Sequence, residues 1–105
     1  MRRGEVWWTD LGPPAGRRLV LLLSRDEAYA VRSLVIVASV TTRIRGMRSE
    51  VPLGPDDGLP KVCVANLDTI TTIARSSLTE RLAVLKRDKL QAVDAAIRFA
   101  LGMDS

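Results

Sequence analysis

The apolar residues of this chain change their period once, and that change decides the architecture. Up to Ile73 they come in short runs broken by turn-forming residues, whereas from Arg87 onward Leu90, Val93, Ala96, Ile97, Ala100 and Leu101 recur at helical spacing. Short β-branched or alternating runs read as strands, and i, i+3, i+4 spacing reads as one amphipathic helix. Arg3 to Leu11 alternates, with Val6 and Trp8 on one face and Glu5, Trp7 and Thr9 on the other, before Gly12-Pro13-Pro14 ends the pattern. The continuous run Leu19 to Leu23, between Gly16 and Ser24, predicts a buried second strand. Ser24 to Ala28 is polar and turn-like, with room for one helical turn. Ser33 to Thr41, rich in Val and Ile, predicts a third strand. Glu50 to Leu53 can pair as a short strand, and Gly54 to Gly58 has the composition of a turn. Lys61 to Ala65 and Leu67 to Ile73 form one or two more strands, with a bend near Asn66. Gly102 is placed to cap the helix C-terminus, and Asp88 suits its first turn, although Lys86 is a poor N-cap. The expected product is a single domain spanning residues 1–105, mostly β with a C-terminal helix. Its five to seven strands would form a strongly bent antiparallel sheet or partly open barrel.

Charge narrows the partners. The net charge is +4, and all of the excess lies between Met1 and Glu50, where nine arginines face five acids. A localised basic excess favours an anionic partner such as nucleic acid or an acidic protein segment. Only four residues are Trp, Tyr or Phe, too few for an extended base-stacking sheet. The apolar runs are far too short to span a membrane, and Met1-Arg2-Arg3 is followed by Gly4 and Glu5 rather than an apolar stretch. A cytoplasmic location is expected.

What the chain lacks excludes much chemistry. It has no histidine and one cysteine, so a Ser-His-Asp triad, a paired-imidazole nuclease and a zinc site all fall away. Cys63 lies between Val62 and Val64 and reads as a buried strand thiol rather than a nucleophile. The acids stand singly or as adjacent pairs such as Asp26-Glu27 and Asp56-Asp57, with no spacing for a two-metal site, so no metal and no cofactor is expected.

Arg18 heads the most apolar strand of the chain. There a guanidinium can be held by the fold and still meet an anion, although two arginines can also simply end a strand in solvent. Thr42, Arg43, Arg45 and Arg48 follow the third strand as a basic loop.

Taken together, Arg3-Gly4-Glu5-Val6-Trp7, Asp10-Leu11, Gly16-Arg17-Arg18 and Val40-Thr41-Thr42 resemble the MazF/PemK family of toxin ribonucleases. So do Asp68-Thr69-Ile70, Leu78-Thr79-Glu80-Arg81-Leu82 and Leu90 to Ile97. The order and spacing of these pieces cover nearly the whole chain. The resemblance implies an SH3-like, partly open barrel that forms a homodimer and cleaves single-stranded RNA without metal. The 2′-hydroxyl would attack, leaving a 2′,3′-cyclic phosphate and a 5′-hydroxyl, and DNA would be spared. It implies Arg18 and Thr41 as the catalytic pair, with Arg17, Thr42, Arg43, Arg45, Arg48 and Asn66 as RNA contacts. Asn66 stands where members commonly carry a base-touching glutamine. It also implies an acidic, MazE-like antitoxin as partner.

The chain departs from the family pattern at several points. Leu19 follows Arg18 where many members have proline. Cys63 and Ala65 occupy positions where some members carry an arginine and an aspartate as acid and base, so that acid–base pair is not carried over. Arg18 therefore reads as a fixed fork of donors for the charge that grows on the nonbridging oxygens, and Thr41 as a second donor to the same phosphate. Two other classes remain open. One is a toxin of the same barrel that binds a protein, as CcdB-like gyrase poisons do. The other is a noncatalytic RNA-binding barrel. The first depends on aromatic residues near the C-terminus, and Leu101 to Ser105 contains none.

Overall fold

A computed structural model describes residues 1–104. It contains strands β1 (Glu5–Asp10), β2 (Arg17–Leu22), β3 (Leu34–Thr41), β4 (Glu50–Leu53), β5 (Cys63–Ala74) and β6 (Leu78–Val84). A one-turn helix α1 (Ala28–Val31) precedes β3, and helix α2 (Arg87–Ala100) closes the chain. The strands form one antiparallel sheet in the order β4-β5-β3-β2-β1-β6, with β4 and β6 as its edges. Register shifts in the β1–β6 ladder at Val6/Trp7 and Trp8/Thr9, and in the β3–β5 ladder at Ala38/Ser39, tighten the twist and curl the sheet into an open barrel.

The run Leu19 to Leu23 fails to alternate because β2 is covered on both faces. Leu21 lies opposite Val6 in a core shared with Ala38, Val40, Ala65 and, from α2, Val93 and Ala96. Val20 lies opposite Trp7 in a second cluster with Leu22, Val35, Val37, Ile73 and Tyr29. Trp7 is thus the tryptophan that packs against a core cluster, and its indole N–H donates to Glu5 at 2.9 Å.

The first strand starts at Glu5 rather than Arg3, because Arg3-Gly4 makes a turn that ties three parts of the fold together. Gly4 has φ +94°, donates its N–H to the Leu22 carbonyl at 2.9 Å and accepts the Leu85 N–H at 3.0 Å. The Arg3 guanidinium reaches the Leu23 carbonyl at 3.1 Å and Asp94 of α2 at 2.7 Å. The Glu5 carboxylate, 5% exposed, accepts from the Arg2 N–H and the Trp7 indole and faces Arg81 of β6. Arg3-Gly4-Glu5 is therefore the fold's clamp between barrel and helix.

Two other elements differ from the sequence reading. Residues 63–74 form one strand, and the bend near Asn66 is a bulge. Ala38 pairs with Ile70 while its neighbour Ser39 pairs with Asn66, leaving Leu67 to Thr69 looped out. The Asn66 side-chain oxygen accepts the Asp68 N–H at 2.9 Å, and the Thr69 hydroxyl donates to the Asn66 carbonyl at 3.0 Å. Strand β6 carries no strand signal in the sequence, because its polar stretch Thr79-Glu80-Arg81 is exposed and its ladder with β1 slips twice. The helix ends as expected. Gly102 at φ +69° donates to Phe99, and Met103 donates to Arg98 at 2.7 Å, which together make a Schellman cap. Among the described residues no helix is long and apolar enough to cross a membrane.

Candidate functional site

Strand register brings Arg18 and Thr41 together. The last paired residues of β2 and β3 are Leu19 and Val40, so the next pair outward is Arg18 opposite Thr41. Directly opposed residues in an antiparallel ladder point to the same face, with Cβ atoms roughly 5 Å apart. Both line a surface groove of about 430 Å³, together with Arg17, Thr42, Trp8 and Ser39. Arg18 is exposed, and among the described residues no carboxylate lies within ion-pair distance of it. Its backbone pairs with Thr9 of β1, and the β2–β3 ladder begins at the next residue, Leu19, so its guanidinium projects from a paired strand end.

The Thr41 hydroxyl is oriented by its neighbour. Its oxygen accepts the Arg43 N–H at 3.1 Å, which leaves the hydroxyl hydrogen free to donate into the groove. Asn66 shares this face, because Ser39 lies opposite it and Ser39 is two residues from Thr41. Its side-chain oxygen already accepts the Asp68 N–H, and its amide N–H groups are left to donate to a ligand.

Arg17 points to the other face of β2. Its guanidinium stacks 4.2 Å above the Trp8 ring and lies 3.4 Å from Glu80 of β6. The stack needs both adjacent strands, so periodicity along one strand could not show it. The basic loop after β3 is anchored by Glu50. This carboxylate, 8% exposed, accepts backbone N–H groups from Arg45 at 3.0 Å, Gly46 at 2.8 Å and Met47 at 3.3 Å. The side chains of Arg43 and Arg45 are exposed. Arg48 instead lies 4.3 Å above the Phe99 ring on α2 and lines a different cavity. Sequence reasoning singled out the loop arginines but missed Glu50, Ser39 and Glu80. Glu50, an acid closing an arginine-rich loop, was the one signal available there.

Cys63 is 4% exposed in the core, and burial, with Asp57 adding to it, pushes its thiol above the ordinary range. A neutral, enclosed thiol has no nucleophilic part here. Ala65 pairs with Val40 and Val51 and is fully buried, so neither position offers an acid or a base. Among the described residues no group of three His, Cys, Asp or Glu side chains is placed to hold a metal.

Residues 2–101 match the model of the PemK-like, MazF-like toxins of type II toxin–antitoxin systems. The chain belongs to this family. It is 39% identical over 100 residues to a probable endoribonuclease, MazF5, of Mycobacterium tuberculosis, an alignment covering 94% of this chain and 91% of that protein. Its fold superposes on the M. tuberculosis toxin MazF-mt6 with a TM-score of 0.87 at 29% identity, covering 96% of this chain and 99% of the toxin. It also superposes on a mycobacterial endoribonuclease solved in complex with its cognate antitoxin, with a TM-score of 0.88 at 28% identity, covering 100% of this chain and 98% of that one. The open barrel and C-terminal helix are thus the fold of MazF toxins.

Proposed function

We propose that this chain is a sequence-specific, metal-independent endoribonuclease toxin that cleaves single-stranded mRNA and so halts translation and growth. The observation that carries the reading is Arg18 opposite Thr41 on adjacent, rigid strands, in a groove that also holds Arg17 and Thr42. A phosphodiester seated there meets two donors from one side. The RNA 2′-hydroxyl attacks phosphorus, the bond to the 5′-oxygen breaks, and a 2′,3′-cyclic phosphate and a 5′-hydroxyl result. The 2′-hydroxyl gives its proton to solvent water, and the departing 5′-oxygen takes one up from solvent water. Arg18 holds its proton throughout and stabilises charge on the nonbridging oxygens, while Thr41 donates its free hydroxyl hydrogen to the same phosphate. One preorganised donor of this kind is worth about 3–4 kcal/mol, on the order of 10² to 10³ in rate.

Arg17, Thr42, Arg43 and Arg45 would contact the flanking phosphates, and Asn66 would offer its amide N–H groups to a base. Arg48, stacked on Phe99, would meet RNA only by leaving that ring. Work as a homodimer in the cytoplasm is part of the proposal, supported by the family and by exposed apolar side chains such as Leu34 and Ile36. Inhibition by an acidic antitoxin segment over the basic groove is supported by the antitoxin named with the structural relative and by the charge of residues 1–50. Affinity for such a segment should fall with salt.

The purified protein is incubated with RNA and with DNA of the same sequence in EDTA. RNA alone should be cut, Arg18→Ala should lose about 10² to 10³ in rate, and a single 2′-deoxy substitution at the cut position should abolish cleavage there. Intact RNA under every condition would sink the proposal.

A further inference from the structure

A buried carboxylate anchors the loop between β3 and β4, and none of the loop's arginines pairs with it. Glu50 opens β4 beside a loop that carries Arg43, Arg45 and Arg48, yet among the described residues no guanidinium comes within ion-pair distance of it. Its partners are backbone amides instead. One oxygen, Oε1, accepts the N–H groups of Arg45 at 3.0 Å, Gly46 at 2.8 Å and Met47 at 3.3 Å, and the Glu50 N–H donates back to the Met47 carbonyl at 3.0 Å. Gly46, at φ +72°, supplies the left-handed step that turns three successive N–H groups toward one point. Such a concavity ordinarily takes an anion from outside, and here the chain fills it with its own side chain. Burying a carboxylate is costly without donors to meet it, and these three meet it without drawing a cation inward. Arg43 and Arg45 are therefore left exposed, with no acid paired to either among the described residues.

Resting on the ribonuclease reading above, we propose that Glu50 is a positioning residue for RNA: by holding residues 45–47 from behind, it fixes where Arg43 and Arg45 meet the phosphates that flank the cut. The sheet gives this anchor its reference point. Glu50 lies opposite Asn66, which lies opposite Ser39, two residues from Thr41. The loop is tied at both ends. At the first the Arg43 N–H donates to the Thr41 hydroxyl oxygen at 3.1 Å, and at the second Arg48 is stacked 4.3 Å above Phe99 of α2. With β5 between them, and strands about 4.8 Å apart, β4 runs roughly 10 Å from β3, so cations on this loop stand beside the scissile phosphate rather than on it. Their contribution is to binding, and a freed loop would have to be ordered at each encounter with RNA.

The test uses the full chain and an RNA that the wild type cuts, with a copy bearing 2′-deoxy at the cut position for binding. Glu50→Ala should weaken Kd roughly 10- to 30-fold at about 0.1 M salt and make log Kd against log salt shallower by about 1.4, two phosphate contacts at about 0.7 each. At saturating RNA, kcat should stay within about threefold of wild type, since the loss falls on binding. Glu50→Gln keeps one side-chain oxygen for the three N–H groups and should bind within about threefold of wild type, whereas Glu50→Asp keeps the charge but loses the reach and should bind worse than Glu50→Gln. Arg43→Ala with Arg45→Ala should reproduce the Glu50→Ala loss, and adding Glu50→Ala to that pair should cost nothing more. A merely structural carboxylate would lower kcat as well and add to the arginine losses. Thermal melts show which variants fold, and should Glu50→Ala not fold, the comparison of Asp with Gln decides. A folded Glu50→Ala with wild-type affinity and salt slope, losses that add to those of the arginines, or an Asp variant no worse than Gln overturns the role of Glu50 while RNA cleavage itself stands. A wild type that cuts no RNA overturns the ribonuclease reading, and this role with it.

Discussion

Replacing Thr41 by Val separates a catalytic hydroxyl from a structural one. Thr41 closes β3, is half-buried, and its oxygen accepts the Arg43 N–H at 3.1 Å. Valine keeps the β-branch and its rotamer preference, so the strand and its pairing with β2 and β5 should persist. The structural loss is one neutral hydrogen bond. Because that bond is exposed, water can take over the Arg43 N–H, which puts the cost near the low end of the usual range, about 0.5 kcal/mol. For a domain of this size that lowers Tm by about 2–4 °C and leaves the protein folded at 25 °C. The catalytic loss is larger: one donor to the transition-state phosphate corresponds to about 10² to 10³ in kcat/KM, or about 3–4 kcal/mol. Thr41→Ser retains the hydroxyl and should stay within about tenfold of wild type, since it loses only χ1 restriction. Combining Thr41→Val with Arg18→Ala should cost less than the two single losses together, because both groups would act on one phosphate. Urea denaturation gives the stability change and steady-state cleavage of an RNA oligonucleotide gives the rate. A folded Thr41→Val variant within about fivefold of wild type, or a Ser variant as damaged as the Val one, would refute the assignment.

Two further predictions concern the clamp at the start of the chain. Gly4→Ala places a Cβ 2.6 Å from a Leu90 methyl at φ +94°, while the backbone is pinned by hydrogen bonds to Leu22 and Leu85. Left-handed strain of about 1–2 kcal/mol plus the crowding of Leu90 predicts a total near 2–3 kcal/mol in urea unfolding, and a loss below about 1 kcal/mol would contradict it. For Glu5, burial alone would raise the carboxyl pKa, but donation from the Trp7 indole and the Arg2 N–H, the N-terminal ammonium and Arg81 outweigh it and hold it below its ordinary 4.5. A depressed folded-state pKa contributes stability above the unfolded value, and that stability is lost as pH falls through the folded value. The stability gap between wild type and Glu5→Gln should therefore stay constant down to about pH 5 and shrink below 4.5. A gap independent of pH would show that the charge of Glu5 contributes nothing.

Strand positions were legible wherever one residue type dominated a short run. Leu34-Val35-Ile36-Val37 announces β3, and the five apolar residues after Arg18 announce a strand buried on two sides. Helix α2 was legible because its stripe repeats over three turns with glycine at the end. β6 was not, since Leu78-Thr79-Glu80-Arg81 has neither clean alternation nor a β-branched run and is held by β1 through a slipped ladder. The role of Arg3-Gly4-Glu5 was equally hidden. Its partners Leu22, Leu85, Asp94 and Arg81 lie 18 to 91 residues away and are brought together only by closure of the barrel.

The same division runs through the candidate site. Residue type could mark Arg18 as a cation beside a core strand, and the family resemblance could point to Thr41, but only register makes them neighbours. A slip of one residue between β2 and β3 would send Thr41 to the barrel interior and leave Arg18 facing Val40 or Thr42. That register is held by the buried pairs behind it, Leu21 with Ala38 and Leu22 with Val37, none of which carries chemistry. Mutations that loosen those pairs should therefore lower cleavage without touching a polar group. The apolar run that made Arg18 conspicuous is also what aligns it with Thr41.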